Sequence, residues 1–326
     1  MATNRYISKA GDGRLPKNIK PLHYDVTFEL DLEALAFRGT VVIDLVVLEE
    51  TDTIVLHSLG LNLLNVSLSG DKWPATDPKS IDIDSEDETA SFVFHGALPP
   101  KANVYLKIDF TGVLREQFSG LYRVKYTSRD GTVKYGAATQ FQATDARRAL
   151  PCFDEPALKA TFNMTLVLDA DLTALSNMDV KSSTQLTTSG GKHKKKVVFN
   201  TTPPMSSYLL AIAVGELHYA ENKGFRIPVR VYTTVDRRVE NCQYAADMTA
   251  RCFKFFEKKF QIEYPLPKID CVGLADKSGA MEDWGLILFQ ESALLYDPDF
   301  TSLKGKALAA SVVAHEEVKY ILHLVN

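Results

Sequence analysis

Apolar and polar residues alternate through the first two-thirds of the chain, the period-two pattern of strands with one buried face. Tyr24-Asp25-Val26-Thr27-Phe28-Glu29-Leu30 carries it, and Thr40-Val41-Val42-Ile43-Asp44-Leu45-Val46-Val47 and Val104-Tyr105-Leu106-Lys107-Ile108-Asp109-Phe110 repeat it. Turn-rich stretches separate them, among them Leu98-Pro99-Pro100 and Ser128-Arg129-Asp130-Gly131. Short strands at this spacing predict antiparallel sheets arranged as a saddle or sandwich. The basic run Gly190-Gly191-Lys192-His193-Lys194-Lys195-Lys196 reads as a solvated hairpin tip, because it is short and lacks the interleaved aromatics of a nucleic-acid platform.

The pattern changes after Gly215. Residues 225–233 predict a strand, and residues 235–260 place Cys242, Ala245, Met248, Cys252 and Phe256 at helical spacing. Tyr264-Pro265-Leu266-Pro267 breaks that helix. Residues 269–274 and 286–289 are short apolar runs consistent with strands, and residues 304–325 predict a final helix. The fold class is therefore α+β: an N-terminal antiparallel β domain over residues 1–215, followed by a mixed α/β fragment over residues 216–326.

Composition adds mainly exclusions. A chain of 326 residues, 45% apolar and 24% charged, suffices for two packed cores. A net charge of −4 gives no electrostatic footprint for nucleic acid. Cys152, Cys242, Cys252 and Cys271 lack metal or redox spacing and read as reduced, mostly buried thiols. The first thirteen residues are polar, without the apolar core of a secretory signal, and no apolar run reaches the length of a membrane span. The expectation is a cytoplasmic protein that engages neither membrane nor nucleic acid.

Candidate chemistry lies in four segments. The first is Arg14-Leu15-Pro16 with Pro21-Leu22-His23-Tyr24-Asp25. The second is Thr139-Gln140-Phe141-Gln142-Ala143-Thr144-Asp145-Ala146-Arg147-Arg148, running into Pro151-Cys152-Phe153-Asp154-Glu155-Pro156. The third is Gly279-Ala280-Met281-Glu282-Asp283-Trp284-Gly285, and the fourth is Val312-Val313-Ala314-His315-Glu316. Together and in this order they resemble the M1 family of zinc aminopeptidases. The resemblance implies a thermolysin-like character for the second part and peptides with a free N-terminus as partners. It implies that Glu282 holds the peptide's α-amino group, that Gln142 assists there, and that Gln140 lines the pocket for the first side chain. Gly279, Ala280 and Met281 would run along the peptide in the manner of strand addition. A buried carboxylate in a closed cleft is suited to this task, because it selects an ammonium.

Two departures qualify the resemblance. Asp283 stands where the family has asparagine, trading an amide donor for added charge beside Glu282. His315-Glu316-Glu317-Val318-Lys319 opens like H-E-x-x-H but has lysine in place of the second histidine. By resemblance His315 is a zinc ligand and Glu316 the general base that activates zinc-bound water. Lys319 has no lone pair to offer while charged and repels a dication. His323 cannot replace it, since eight helical residues mean a rise of ~12 Å and a rotation of roughly 80°. The family's third ligand, a glutamate on a later helix, has no counterpart. The expectation is a chain truncated within the zinc-binding helix that does not hold the family's zinc stably.

An M1-like homologue that recognises peptide N-termini with peptidase activity impaired or lost is the leading reading. The alternatives are an active metallo-aminopeptidase, a metal-free acid–base enzyme using Glu282, Asp283 and Glu316, and a non-functional product. The final helix carries Leu308, Val312, Val313, Val318, Ile321, Leu322 and Val325, which predicts an open apolar face for a protein partner or self-association.

Overall fold

The computed structural model describes residues 14–324 apart from 71–72, 129, 188–190, 192 and 276, and omits the side chains of 73 and 320–324. The described residues form an α+β structure in which strands fill four sheets. The largest sheet runs in the order Val180–Thr187, His193–Phe199, Thr161–Asp169, Ile19–Asp31, Ala36–Val47, Asn103–Val113, Asn62–Gly70, Trp73–Thr76. Its pairings are antiparallel except that Ile19–Asp31 runs parallel to Thr161–Asp169, with Tyr24 opposite Phe162. Thr51–His57, Thr89–Leu98 and Ser80–Asp84 make a second sheet. Thr173–Ser176, Ile212–Gly215, Val133–Gln140 and Gly120–Thr127 make a third.

Alternation works as the pattern predicts. Along Ile19–Asp31 the buried positions include Tyr24, Val26, Phe28 and Leu30, while intervening residues stay outward. Inside, Tyr24 stacks on Phe162 with centroids 4.7 Å apart, and Phe28, Phe37 and Phe110 meet edge to face. Such rings supply both apolar area and a preferred geometry, which fixes the register of their strands.

Residues 180–199 form a hairpin, with Thr187 opposite His193. The expected tip falls on residues 188–190 and 192, which lie outside the described residues. The basic run is not all tip: His193–Phe199 is a strand, and Lys194 reaches Glu29 at 2.7 Å.

The last sheet runs Leu217–Asn222, Val229–Thr234, Ile269–Leu274, Leu286–Gln290, Ala280–Met281. Helix α1, Gln243–Phe260, crosses it. This helix begins later than residue 235, because Val239–Cys242 forms a 3-10 turn first. Ala245, Ala246, Thr249, Ala250 and Phe253 are its buried face, and small residues there let helix α2, Leu303–Leu324, approach. On α2 the buried positions Ala309, Val313, Glu316 and Glu317 lie on one face. Its other residues include Leu303, 83% exposed, and Leu308, 52% exposed, and Val318 is half-buried. The side chains of Ile321, Leu322 and Val325 lie outside the described residues. Among the described residues, no helix is long and apolar enough to cross a membrane.

The third and last sheets share a core. Tyr122, Val124, Ala138 and Ala213 pack with Tyr232, Val272, Leu274, Leu286 and Leu288. This contact carries residues 277–285 to the seam where the candidate chemistry gathers.

Candidate functional site

The loop leaves the strand Ile269–Leu274, makes the short edge strand Ala280–Met281, and returns into Leu286–Gln290. Its return is pinned from both sides. Gly285 has φ +77, and a Cβ there would lie 2.0 Å from the Asn177 carbonyl oxygen, so only glycine fits. Asn177 Nδ2 donates to the carbonyls of Leu209 at 2.7 Å and Trp284 at 2.8 Å, while its Oδ1 accepts from the Ala211 amide at 2.9 Å. The buried Lys268 ammonium donates to the Ser176 carbonyl at 2.6 Å, the Gly285 carbonyl at 2.7 Å and Asp270 Oδ2 at 2.8 Å. Three fixed acceptors compensate the desolvation of that cation.

Glu282 and Asp283 sit just before this anchor, and both are buried. Glu316 approaches from α2, with Lys277 from the same loop. Lys277 Nζ donates to Gln140 Oε1 at 2.6 Å, which joins the loop to the strand Val133–Gln140. Lys319 Nζ lies 3.5 Å from Glu282 Oε2 and 3.7 Å from Glu316 Oε2. Three carboxyls thus share a seam with two ammonium groups.

The electrostatics follow from burial and crowding. Burial pushes the Asp283 carboxyl well above its ordinary range; Lys277 opposes the shift, and Glu282 and Glu316 add to it. Burial raises Glu316 to about 7, assisted by a hydrogen bond with Glu282 and opposed by Lys319. Burial lowers Lys277 against the pull of Asp283, Glu316 and Glu282. Tyr208 is raised by burial and by its proximity to Glu282 and Asp283. Glu317, on the same buried face of α2, lies against Thr249 of α1. Burial raises its carboxyl strongly, the Thr249 hydroxyl opposes this, and neither oxygen makes a close hydrogen bond.

The remaining expected residues are spread around this cluster. Gln142 is exposed, two residues beyond Gln140. Gly279 is exposed, with its carbonyl accepting from the Gln290 amide at 2.7 Å. Ala280 and Met281 pair with Phe289 and Leu288, and they form the outermost strand of their sheet. His315 is exposed on α2, whereas Glu316 and Glu317 are buried. A cavity of about 680 Å³ opens instead on the eight-stranded sheet, lined by Glu29, Asp31, Arg38 and Lys194, with none of these residues.

Zinc needs three convergent protein donors and an open position. Among the described residues, no three His, Cys, Asp or Glu side chains come together in a way that could hold a metal ion. Lys319, in the position of the expected second ligand, directs its ammonium at Glu282 and Glu316 instead. The donor set among the described residues does not fit zinc.

Two family models match the chain, the peptidase M1 N-terminal domain over residues 20–209 and the peptidase family M1 domain over residues 244–320. The chain belongs to peptidase family M1. It is 46% identical over 306 residues to Aminopeptidase 2, mitochondrial, of Saccharomyces cerevisiae, covering 93% of this chain and 31% of the relative. It is 42% identical to the Puromycin-sensitive aminopeptidase of Caenorhabditis elegans, covering 93% and 32%. With Alanine/arginine aminopeptidase of Saccharomyces cerevisiae the identity is 43%, over 93% and 35%. This M1 chain spans about a third of the length of the curated relatives it matches.

Part of what the M1 motifs do here is structural. Arg147, buried, donates from Nε to Asp154 Oδ2 at 3.0 Å and from Nη1 to Glu88 Oε2 at 2.9 Å. The Ser207 hydroxyl donates to Asp154 Oδ1 at 2.6 Å, which fixes the turn that presents Tyr208. Sequence reading missed Lys277, Tyr208, Asn177 and Lys268. A lysine two residues before Gly279 was the one available signal, and nothing in its local pattern marks it as buried.

Proposed function

We propose that this M1 chain recognises the free N-terminus of peptides at Glu282, with its peptidase activity impaired or lost. The observation that carries the reading is the burial of the Glu282 carboxylate at the seam of two sheets with an ammonium, Lys319, for a neighbour. A carboxylate held out of bulk water discriminates strongly for a cationic amine. Gln140 and Gln142 would line the first side-chain pocket and assist at the amine. Gly279, Ala280, Met281 and Asp283 would form its wall, the edge strand Ala280–Met281 offering its outer side to an extended peptide. The peptide-hydrolysing chemistry of the relatives named aminopeptidases supports the substrate class.

Impairment rests on the ligand set. His315 would be a metal ligand and Glu316 the general base, but Lys319 occupies the second ligand position. Zinc, when bound in such a site, supplies an activated water. Glu316 without it has a carboxyl but no acidified water to deprotonate.

The test is metal content and hydrolysis measured on the same sample. Zinc well below one per chain, with aminoacyl-substrate turnover no faster than that of Glu316→Gln, supports the reading. One zinc per chain with turnover that Glu316→Gln abolishes contradicts it.

A further inference from the structure

Lys319 is the one residue of the cluster whose chemistry opposes what its position is expected to do. It neither ligates nor leaves the site. Its ammonium stands 3.5 Å from Glu282 and 3.7 Å from Glu316, and its side chain is 39% exposed. An ammonium with three donors is what the α-amino end of a peptide would bring to the same carboxylate. The four-carbon stem starts one helical turn beyond His315, so α2 delivers the charge into the seam without disturbing the helix.

We propose that Lys319 is an internal occupant of the amine pocket: its tethered ammonium fills the place of a peptide's α-ammonium and must swing to solvent before a primary amine can bind. The proposal rests on the reading of Glu282 as the amine-binding carboxylate. A tethered competitor acts at an effective concentration of about millimolar or higher, so it weakens the apparent affinity of every amine that must displace it. The contact also helps two neighbouring buried carboxyls to be tolerated together, since the cation offsets part of their charge in the absence of ligand. Ligand class follows from the exchange. Only a primary ammonium replaces the charge that Lys319 withdraws, so N-acetylated peptides do not compete. The side chain is already partly exposed, which leaves it a route to solvent by rotamer change.

The experiment titrates the full chain by calorimetry with trialanine and with N-acetyl-trialanine. Lys319→Met should bind trialanine about tenfold more tightly than the unaltered chain, the scale expected when a tethered competitor is removed. Lys319→Arg, which keeps a cation in place, should remain close to the unaltered chain. Glu282→Gln combined with Lys319→Met should erase the gain. If Lys319→Met does not fold, Glu316→Gln with Lys319→Met removes one of the two stranded carboxyls, and Glu316→Gln alone serves as its reference. Folded Lys319→Met with unchanged or weaker affinity, while Glu282→Gln still loses binding, overturns the internal occupant and leaves the Glu282 reading standing. Binding indifferent to Glu282→Gln in both backgrounds overturns both.

Discussion

Asn177 donates to the Trp284 carbonyl across 2.8 Å, and so ties the β-rich N-terminal part to the turn that immediately follows Glu282 and Asp283. The same side chain satisfies the Leu209 carbonyl and the Ala211 amide. Truncating it strands buried polar groups, at a cost of about 1–3 kcal/mol. Asn177→Ala should lower the urea midpoint accordingly. Gly285→Ala should cost more, about 2–5 kcal/mol, because it adds left-handed strain to a 2.0 Å clash. Equal midpoints for Gly285→Ala and the unaltered chain would show that the turn is not held as described.

The Arg147–Asp154 pair makes a separate prediction. Both residues are buried, and Asp154 also receives the Ser207 hydroxyl. Removing one partner leaves an uncompensated charge, so Asp154→Ala should destabilise by about 3–5 kcal/mol. Equilibrium unfolding by denaturant checks this. A loss below 1 kcal/mol would mean that the guanidinium finds other acceptors.

Glu317 predicts the opposite sign. Its carboxyl is buried beside Thr249, Cys252 and Cys271, without a close hydrogen bond. Replacing an unsatisfied buried polar group with an apolar one of similar volume recovers about 1–3 kcal/mol. Glu317→Leu should therefore raise the melting temperature by several degrees. A fall would place a partner on the carboxyl.

Stability should also depend on pH through Glu316. In the folded chain this carboxyl holds its proton up to about pH 7, whereas unfolded it releases it near ~4.3. Between those values the folded state binds the extra proton, so stability declines as pH rises through that window and the decline ends above it. Asp283 and Glu317 push in the same direction, while the lowered Lys277 adds stability with rising pH in the alkaline range. Glu316→Gln should flatten the fall between about pH 4 and pH 7. Stability profiles that run parallel for Glu316→Gln and the unaltered chain would remove Glu316 as a source.

How legible this was depended on whether burial was local. The strand around Tyr24 and Phe28 shows one buried face, so alternation reveals it directly. Its parallel pairing with Thr161–Asp169 was not legible, because the partner lies far along the chain and register leaves no local mark. In α1 the eye goes to Met248, Cys252 and Phe256, yet Ala246, Thr249, Ala250 and Phe253 are the buried face. Close approach of α2 selects small residues there, which hydrophobicity alone undervalues. At the seam, Glu282, Asp283, Glu316 and Gln140 were visible through motifs. Lys277, Lys268, Asn177 and Tyr208 reach it only by tertiary packing, and no spacing rule points to them.

The account turns on Glu282 as a reader of free amines, and a paired calorimetric titration tests that most directly. The chain is titrated with millimolar trialanine and, separately, with its N-acetylated form. Saturable heat with the free amine alone, lost in Glu282→Gln, is the predicted result. Equal binding of both peptides, or trialanine binding that Glu282→Gln leaves intact, would contradict it.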